Sequence, residues 1–151
     1  MVMIKLLIFQ IFFTIQNLEN FDIKIDSVEQ ELNKLSTIIN YQICYSNSEI
    51  KQDNTKVDLL IKNVYFNNSN ILGLCSGTFL ENPKVKGIPI MYIDCKNKNT
   101  YYETLLHEFG HFLGLTHSID SLSFIYPAKI KNKQIIQRID SLKLKELYEI
   151  R

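Results

Sequence analysis

Little in the chain's bulk composition points to a specialised partner. No charge sign dominates: 17 basic side chains face 16 acidic ones over 151 residues, a formal net charge of +1. That balance removes the electrostatic case for nucleic acid or an anionic membrane surface as a partner. The three cysteines, Cys44, Cys75 and Cys95, stand in no CxxC spacing, which argues against a cysteine metal site or a thioredoxin-type redox pair. They leave open one disulfide, with Cys75 and Cys95 the preferred pair, or three reduced and buried thiols. No apolar run reaches the roughly 20 residues that a stable membrane-spanning helix needs. Repeats and low-complexity linkers are also missing, and the length suits one domain around one core. A monomer is expected.

An apolar run does occupy residues 6–15, after Lys5 and broken only by Gln10 and Thr14. Its length is that of a signal-peptide core, so residues 1–17 read as a secretory leader and 18–151 as the exported domain. The segment around Thr14, Gln16 and Asn17 is a poor cleavage site. The alternatives are an uncleaved anchor and a buried first strand.

Residues 21–26 alternate apolar and polar as a short strand does. Residues 27–40 then place Val28, Leu32, Leu35, Ile38 and Ile39 at helical spacing, with Asp26 or Ser27 available as N-cap. Strand-type runs follow at 41–45, 57–66, 71–80 and 88–94. The clearest helix is 100–113, where Thr100 and Glu103 have capping-box spacing and Leu105, Leu106, Phe109, Phe112 and Leu113 supply an apolar stripe. Gly114 can end it. A last helix, capped by Asp140, carries Leu144, Leu147 and Tyr148 on one face.

All three histidines lie in residues 107–117, HEFGHFLGLTH. Helical positions four apart sit on one face about 5–6 Å from each other, so His107 and His111 can aim two imidazoles at one point. A third ligand from the next turn would lie in line with them. Gly114 can adopt the left-handed conformation that turns the chain back, and His117 then arrives from the open side. Three neutral imidazoles leave the fourth position of a zinc ion for water, the plan of a catalytic site. Glu108, next to the first ligand, can reach that zinc-activated water as general base without binding the metal. An ordinary amphipathic helix accounts for one stray histidine, not for His107, Glu108, His111, Gly114 and His117 together at these spacings. Leu105, Leu106, Phe109 and Phe112 read as core.

These residues form HExxHxxGxxH, and the chain resembles the metzincin peptidases in it. His117-Ser118-Ile119-Asp120, then Ser123-Phe124-Ile125-Tyr126-Pro127, then a closing helix with Glu146-Leu147-Tyr148 narrow the resemblance to the matrixins, the matrix-metalloproteinase family. The resemblance implies an α+β zincin-like domain: a five-stranded mixed twisted sheet, an N-terminal helix, an active-site helix and a C-terminal helix. It implies a zinc metalloendopeptidase acting on peptide or protein substrates outside the cell. It also makes residues 71–80 the edge strand beside which substrate lies, with Leu74 and Ser76 as contacts, and residues 123–129, including Tyr126 and Pro127, a wall of the S1′ pocket.

Three departures from the family pattern stand out. Ile125 replaces the methionine of the turn beneath the metal. No upstream switch cysteine is present to hold the enzyme latent, and no further histidines are available for a structural zinc. One zinc per chain is therefore expected. Calcium would find Asn and backbone oxygens around residues 67–70 but no cluster of carboxylates. The rival reading is a non-catalytic zinc-binding or peptide-capturing module descended from such a peptidase, which an obstructed cleft would favour and an open one would not.

Overall fold

The computed structural model describes residues 9–16, 22–67, 70–81, 87–96, 98–128 and 134–149. The element order is β1 (Gln10–Gln16), α1 (Ile25–Ile39), β2 (Gln42–Tyr45), β3 (Leu59–Val64), β4 (Gly73–Cys75), β5 (Ile90–Asp94), α2 (Lys98–Phe112) and α3 (Arg138–Glu149). The strands form one mixed sheet in the order β2-β1-β3-β5-β4, with β4 the antiparallel edge and the other pairings parallel. This is the α+β domain that the resemblance implied.

Alternation places Ile11, Phe13 and Ile15 of β1 on the same face as Leu59 and Ile61 of β3 and Met91 and Ile93 of β5. Against that face pack Val28, Leu32, Leu35 and Ile39 of α1, then Leu105, Phe109 and Phe112 of α2 and Leu144 of α3, giving one continuous core. Asn63 is the polar residue in this layer, and its Oδ1 accepts a 2.7 Å hydrogen bond from the buried Tyr101 hydroxyl of α2.

The stretch that resembled a signal core is therefore, from Gln10 to Gln16, a strand in the interior of the sheet. Its neighbours explain why it looked like a leader. Paired on both edges, and with Ile11, Phe13, Thr14 and Ile15 all buried, it keeps its exposed and half-exposed glutamines, Gln10 and Gln16, at its two ends and leaves a mostly apolar centre. Of the alternatives, the buried first strand is the arrangement seen for these residues.

Several expected boundaries move. Residues 22–26 are not a strand: Asp22 lies in a turn and α1 begins at Ile25, while Phe21 lies outside the described residues. The N-cap is Lys24, which makes no side-chain capping bond, and Asp26 instead lies in the first turn. There its charge still favours the positive end of the helix. Thr100 is the third residue of α2 and not its cap. Asp140 is likewise inside α3, where its Oδ2 reaches back to accept a 2.8 Å hydrogen bond from the Gln137 N–H, half of a capping box. Of the two thiol states that the sequence left open, the structure has the three cysteines free. In the antiparallel register Cys75 stands opposite Met91, four residues along the chain from Cys95.

Candidate metal centre

α2 carries His107, Glu108 and His111, and its C-terminal end is held with unusual completeness. The Gly110 carbonyl accepts from Leu115 N and the His111 carbonyl from Gly114 N, while Phe79 N donates to the Phe112 carbonyl and the Tyr148 hydroxyl to the Leu113 carbonyl. The carbonyls that a helix end leaves orphaned are thus satisfied by three separate parts of the chain. Gly114 has φ +109°, the left-handed turn that a side chain resists. It redirects the chain so that His117 returns to face the first two histidines.

The three imidazoles converge. Ring centroids lie 4.9 Å apart for His107 and His111, 5.4 Å for His107 and His117, and 4.7 Å for His111 and His117. One ring nitrogen from each lies within 4.8 Å of the others. His107 Nδ1 is 2.9 Å from the Phe124 carbonyl and His111 Nδ1 is 2.8 Å from the Leu115 carbonyl. A carbonyl only accepts, so both Nδ1 atoms carry the proton, and both Nε2 atoms present lone pairs. Those two Nε2 atoms face each other at 3.2 Å.

Two lone pairs at that separation repel unless a cation lies between them. Burial, the largest influence, depresses His107 to about 4 and also lowers His111, so neither ring supplies the cation by protonation near neutral pH. A zinc ion bonded to both nitrogens at about 2.0–2.1 Å with a tetrahedral angle sets them roughly 3.3 Å apart. The donor set and its spacing fit zinc.

Glu108 sits on the same helix, 7% exposed, with its carboxyl raised by burial to about 7. Its side chain lies directly against the backbone of β4: a Cβ added to Gly73 would stand 2.6 Å from Glu108 Cγ and 2.9 Å from Glu108 Oε1. Below the histidines, Ile125 is 1% exposed and packs where a side chain at Gly110 would otherwise be, its Cδ1 only 2.7 Å from that position. Ser123, fully buried, holds this turn. Its hydroxyl donates to Asp140 Oδ2 at 2.8 Å and accepts from Ile125 N at 3.2 Å.

A model of the matrixin family matches residues 9–149. The chain belongs to the matrixins. No curated protein matches it. Matrixins are zinc metallopeptidases, and this matrixin brings together a histidine triad able to hold the metal.

A cleft of about 730 Å³ runs beside the triad, lined on one side by Gly73 and Leu74 of β4 and on the other by Phe124, Tyr126 and Pro127. Leu74, Tyr126 and Pro127, expected as substrate contacts, line this cleft. Ser76 does not. It lines a separate hollow with Asp58 and Pro89, and its hydroxyl accepts a 2.8 Å hydrogen bond from Ile90 N within the sheet edge. Lys129, the end of the expected pocket wall, lies outside the described residues.

Gly73 and Gly110 escaped the sequence reading, and Ser123 entered it as a member of the family-like turn without its role of holding that turn. Gly110 offered a signal, since a glycine inside a helix costs about 1 kcal/mol relative to alanine and calls for a packing reason. Gly73 and Ser123 offered none, because each matters through a residue far away in sequence.

Proposed function

We propose that this matrixin is a zinc-dependent endopeptidase with one zinc per chain, held by His107, His111 and His117, and with Glu108 as general base. The observation that carries the reading is the pair of facing Nε2 lone pairs, with a near-neutral carboxyl on the adjoining residue. Zinc held there supplies Lewis acidity, polarising a carbonyl and acidifying a water. Buried beside that position, Glu108 takes a proton from the attacking water and returns it to the departing amine, a double task suited to a carboxyl poised near 7. Edge strand β4 offers unpaired backbone groups along which an extended peptide can align. The open cleft, with Leu74 on one side and Tyr126 and Pro127 on the other, supports hydrolysis over a purely peptide-capturing role.

Among the described residues no helix is long and apolar enough to cross a membrane. Action outside the cell follows the family's habit, and any export signal must then spare Gln10–Gln16, which the sheet requires. The test is Glu108→Ala assayed against a peptide library, with metal content by mass spectrometry on protein purified without chelator. Cleavage disappears while one zinc per chain remains. Unchanged cleavage removes Glu108 from the mechanism, and two zinc ions per chain would reveal a second ligand set.

A further inference from the structure

The α2 wall of the cleft runs from Glu103 through Thr104 to His107 and Glu108, and Glu31 and Lys34 of α1 border the same space. Thr104 is 6% exposed, and its methyl branch lies against the β4 backbone: Cγ2 is 2.9 Å from where a Cβ on Gly73 would stand. The hydroxyl is the other branch. It makes no hydrogen bond among the described residues, whereas the Thr37 hydroxyl of α1 turns back on its own helix to the Asn33 carbonyl at 3.0 Å. Nor is it sealed in. Among the described residues, the side-chain polar atom shut from solvent without a partner is Asn63 Nδ2. The Thr104 hydroxyl therefore opens onto the cleft, one helical turn before His107 and Glu108 and on their face of α2. Packing on Gly73 needs only the branched shape, which valine shares. What threonine adds is a donor and acceptor that a bound substrate would cut off from water.

We propose that Thr104 is a specificity-determining residue whose hydroxyl hydrogen-bonds a carboxamide side chain, asparagine or glutamine, in the residue that follows the scissile bond. This rests on the endopeptidase reading above and names the substrate class. Carboxamides are the uncharged side chains that carry an acceptor and a donor together beyond Cβ, which matches a hydroxyl able to donate and accept. An apolar side chain would cover the Thr104 hydroxyl and leave it unpaired. A carboxylate would bring its charge beside Glu108 and among Leu106 and Phe124, which offer it no partner.

The experiment uses the zinc-loaded full chain and two pairs of peptides matched in side-chain size after the scissile bond, asparagine with leucine and glutamine with methionine. In the parent, the carboxamide member of each pair exceeds the apolar one in kcat/KM by about tenfold, the effect of one neutral hydrogen bond. Thr104→Val keeps the methyl against Gly73 and erases both ratios, while Thr104→Ser keeps the hydroxyl and preserves them. Zinc content is the same in all three proteins. Fluorescence polarisation with labelled peptides beginning at that residue reads the preference without turnover. A ratio that Thr104→Val leaves unmoved, in either direction, overturns the proposal and keeps the peptidase. So does an equal fall in kcat for all four peptides, which would place the hydroxyl in the service of the reaction centre and not of selection. Tighter, Thr104-dependent binding of the asparagine-led peptide without any cleavage keeps the selection and overturns the peptidase. Neither cleavage nor Thr104-dependent binding overturns both.

Discussion

Across the cleft, β4 faces the histidines with three residues of edge strand, whereas the rim at residues 123–127 has a single bridge, Ser123 to Ile135, a few loop hydrogen bonds such as Phe124 N to the Ile135 carbonyl and Ser118 N to the Ile125 carbonyl, and an anchor in the buried Ser123 hydroxyl. The β4 rim is held by sheet hydrogen bonds such as Asp94 N to the Leu72 carbonyl and Ser76 N to the Ile90 carbonyl. Its contact with the proposed general base is Gly73 against Glu108. The other rim reaches a metal ligand directly, since the Phe124 carbonyl accepts from His107 Nδ1 and Ile125 packs on Gly110. Shifting the first rim should disturb the base and spare the metal. Shifting the second should loosen the metal.

The largest effect that separates the rims is expected from Gly73→Ala. Its Cβ would stand 2.6 Å from Glu108 Cγ and 2.9 Å from Thr104 Cγ2, closer than carbon atoms approach, so Glu108 must leave its position. A misplacement of that kind at a proton-transferring group lowers kcat/KM by about 100-fold. Zinc content should stay at the parent value. Loss of zinc along with activity would show that the two rims are not separable.

Ser123→Ala works on the opposite rim, with a smaller effect on turnover and a larger one on the metal. It deprives Asp140 Oδ2 of one of two donors and Ile125 N of its acceptor, in a fully buried place. An unsatisfied buried group costs about 1–3 kcal/mol of stability. The same slackening reaches His107 through Phe124, so zinc affinity should fall by about tenfold, as for other residues that orient a ligand. Thermal unfolding and competition with a chelator measure the two. Reduced stability with unchanged zinc affinity would detach this network from the metal site.

What could be read in the sequence follows the same division between near and far. The triad was legible because all its ligands lie within 11 residues and one helix plus one glycine turn brings them together. The three helices were legible from their apolar spacing, to within a few residues at their ends, where capping by Asp140 or its absence at Lys24 decides the boundary. β1 was not, because an interior parallel strand and a secretory leader share one composition and differ only in what surrounds them. The charged lining of the cleft depends on α1 and α2 meeting, and residues 31, 34 and 103 carry no local mark of it.

The smallest effect belongs to Ile125, the position where the family's methionine is replaced. The side chain is 1% exposed and lies against Gly110, between the two ligands of α2, and its backbone N–H is tied to Ser123. What the site needs from this residue is apolar volume that fills the space under the histidines. The polarity or reactivity of a thioether is not required. Isoleucine and methionine have similar volumes, and an exchange of that kind costs less than about 1.5 kcal/mol. The unbranched methionine can adjust its three rotatable bonds to the same space, though it fixes the floor less rigidly. Ile125→Met should therefore change kcat/KM by no more than about threefold and leave the zinc content unaltered. Titrating peptide cleavage and chelator competition in parallel checks both parts. If the parent were inactive and Ile125→Met gained activity, the natural protein would be a binding module whose metal floor, and not its base or its cleft, had been altered away from catalysis.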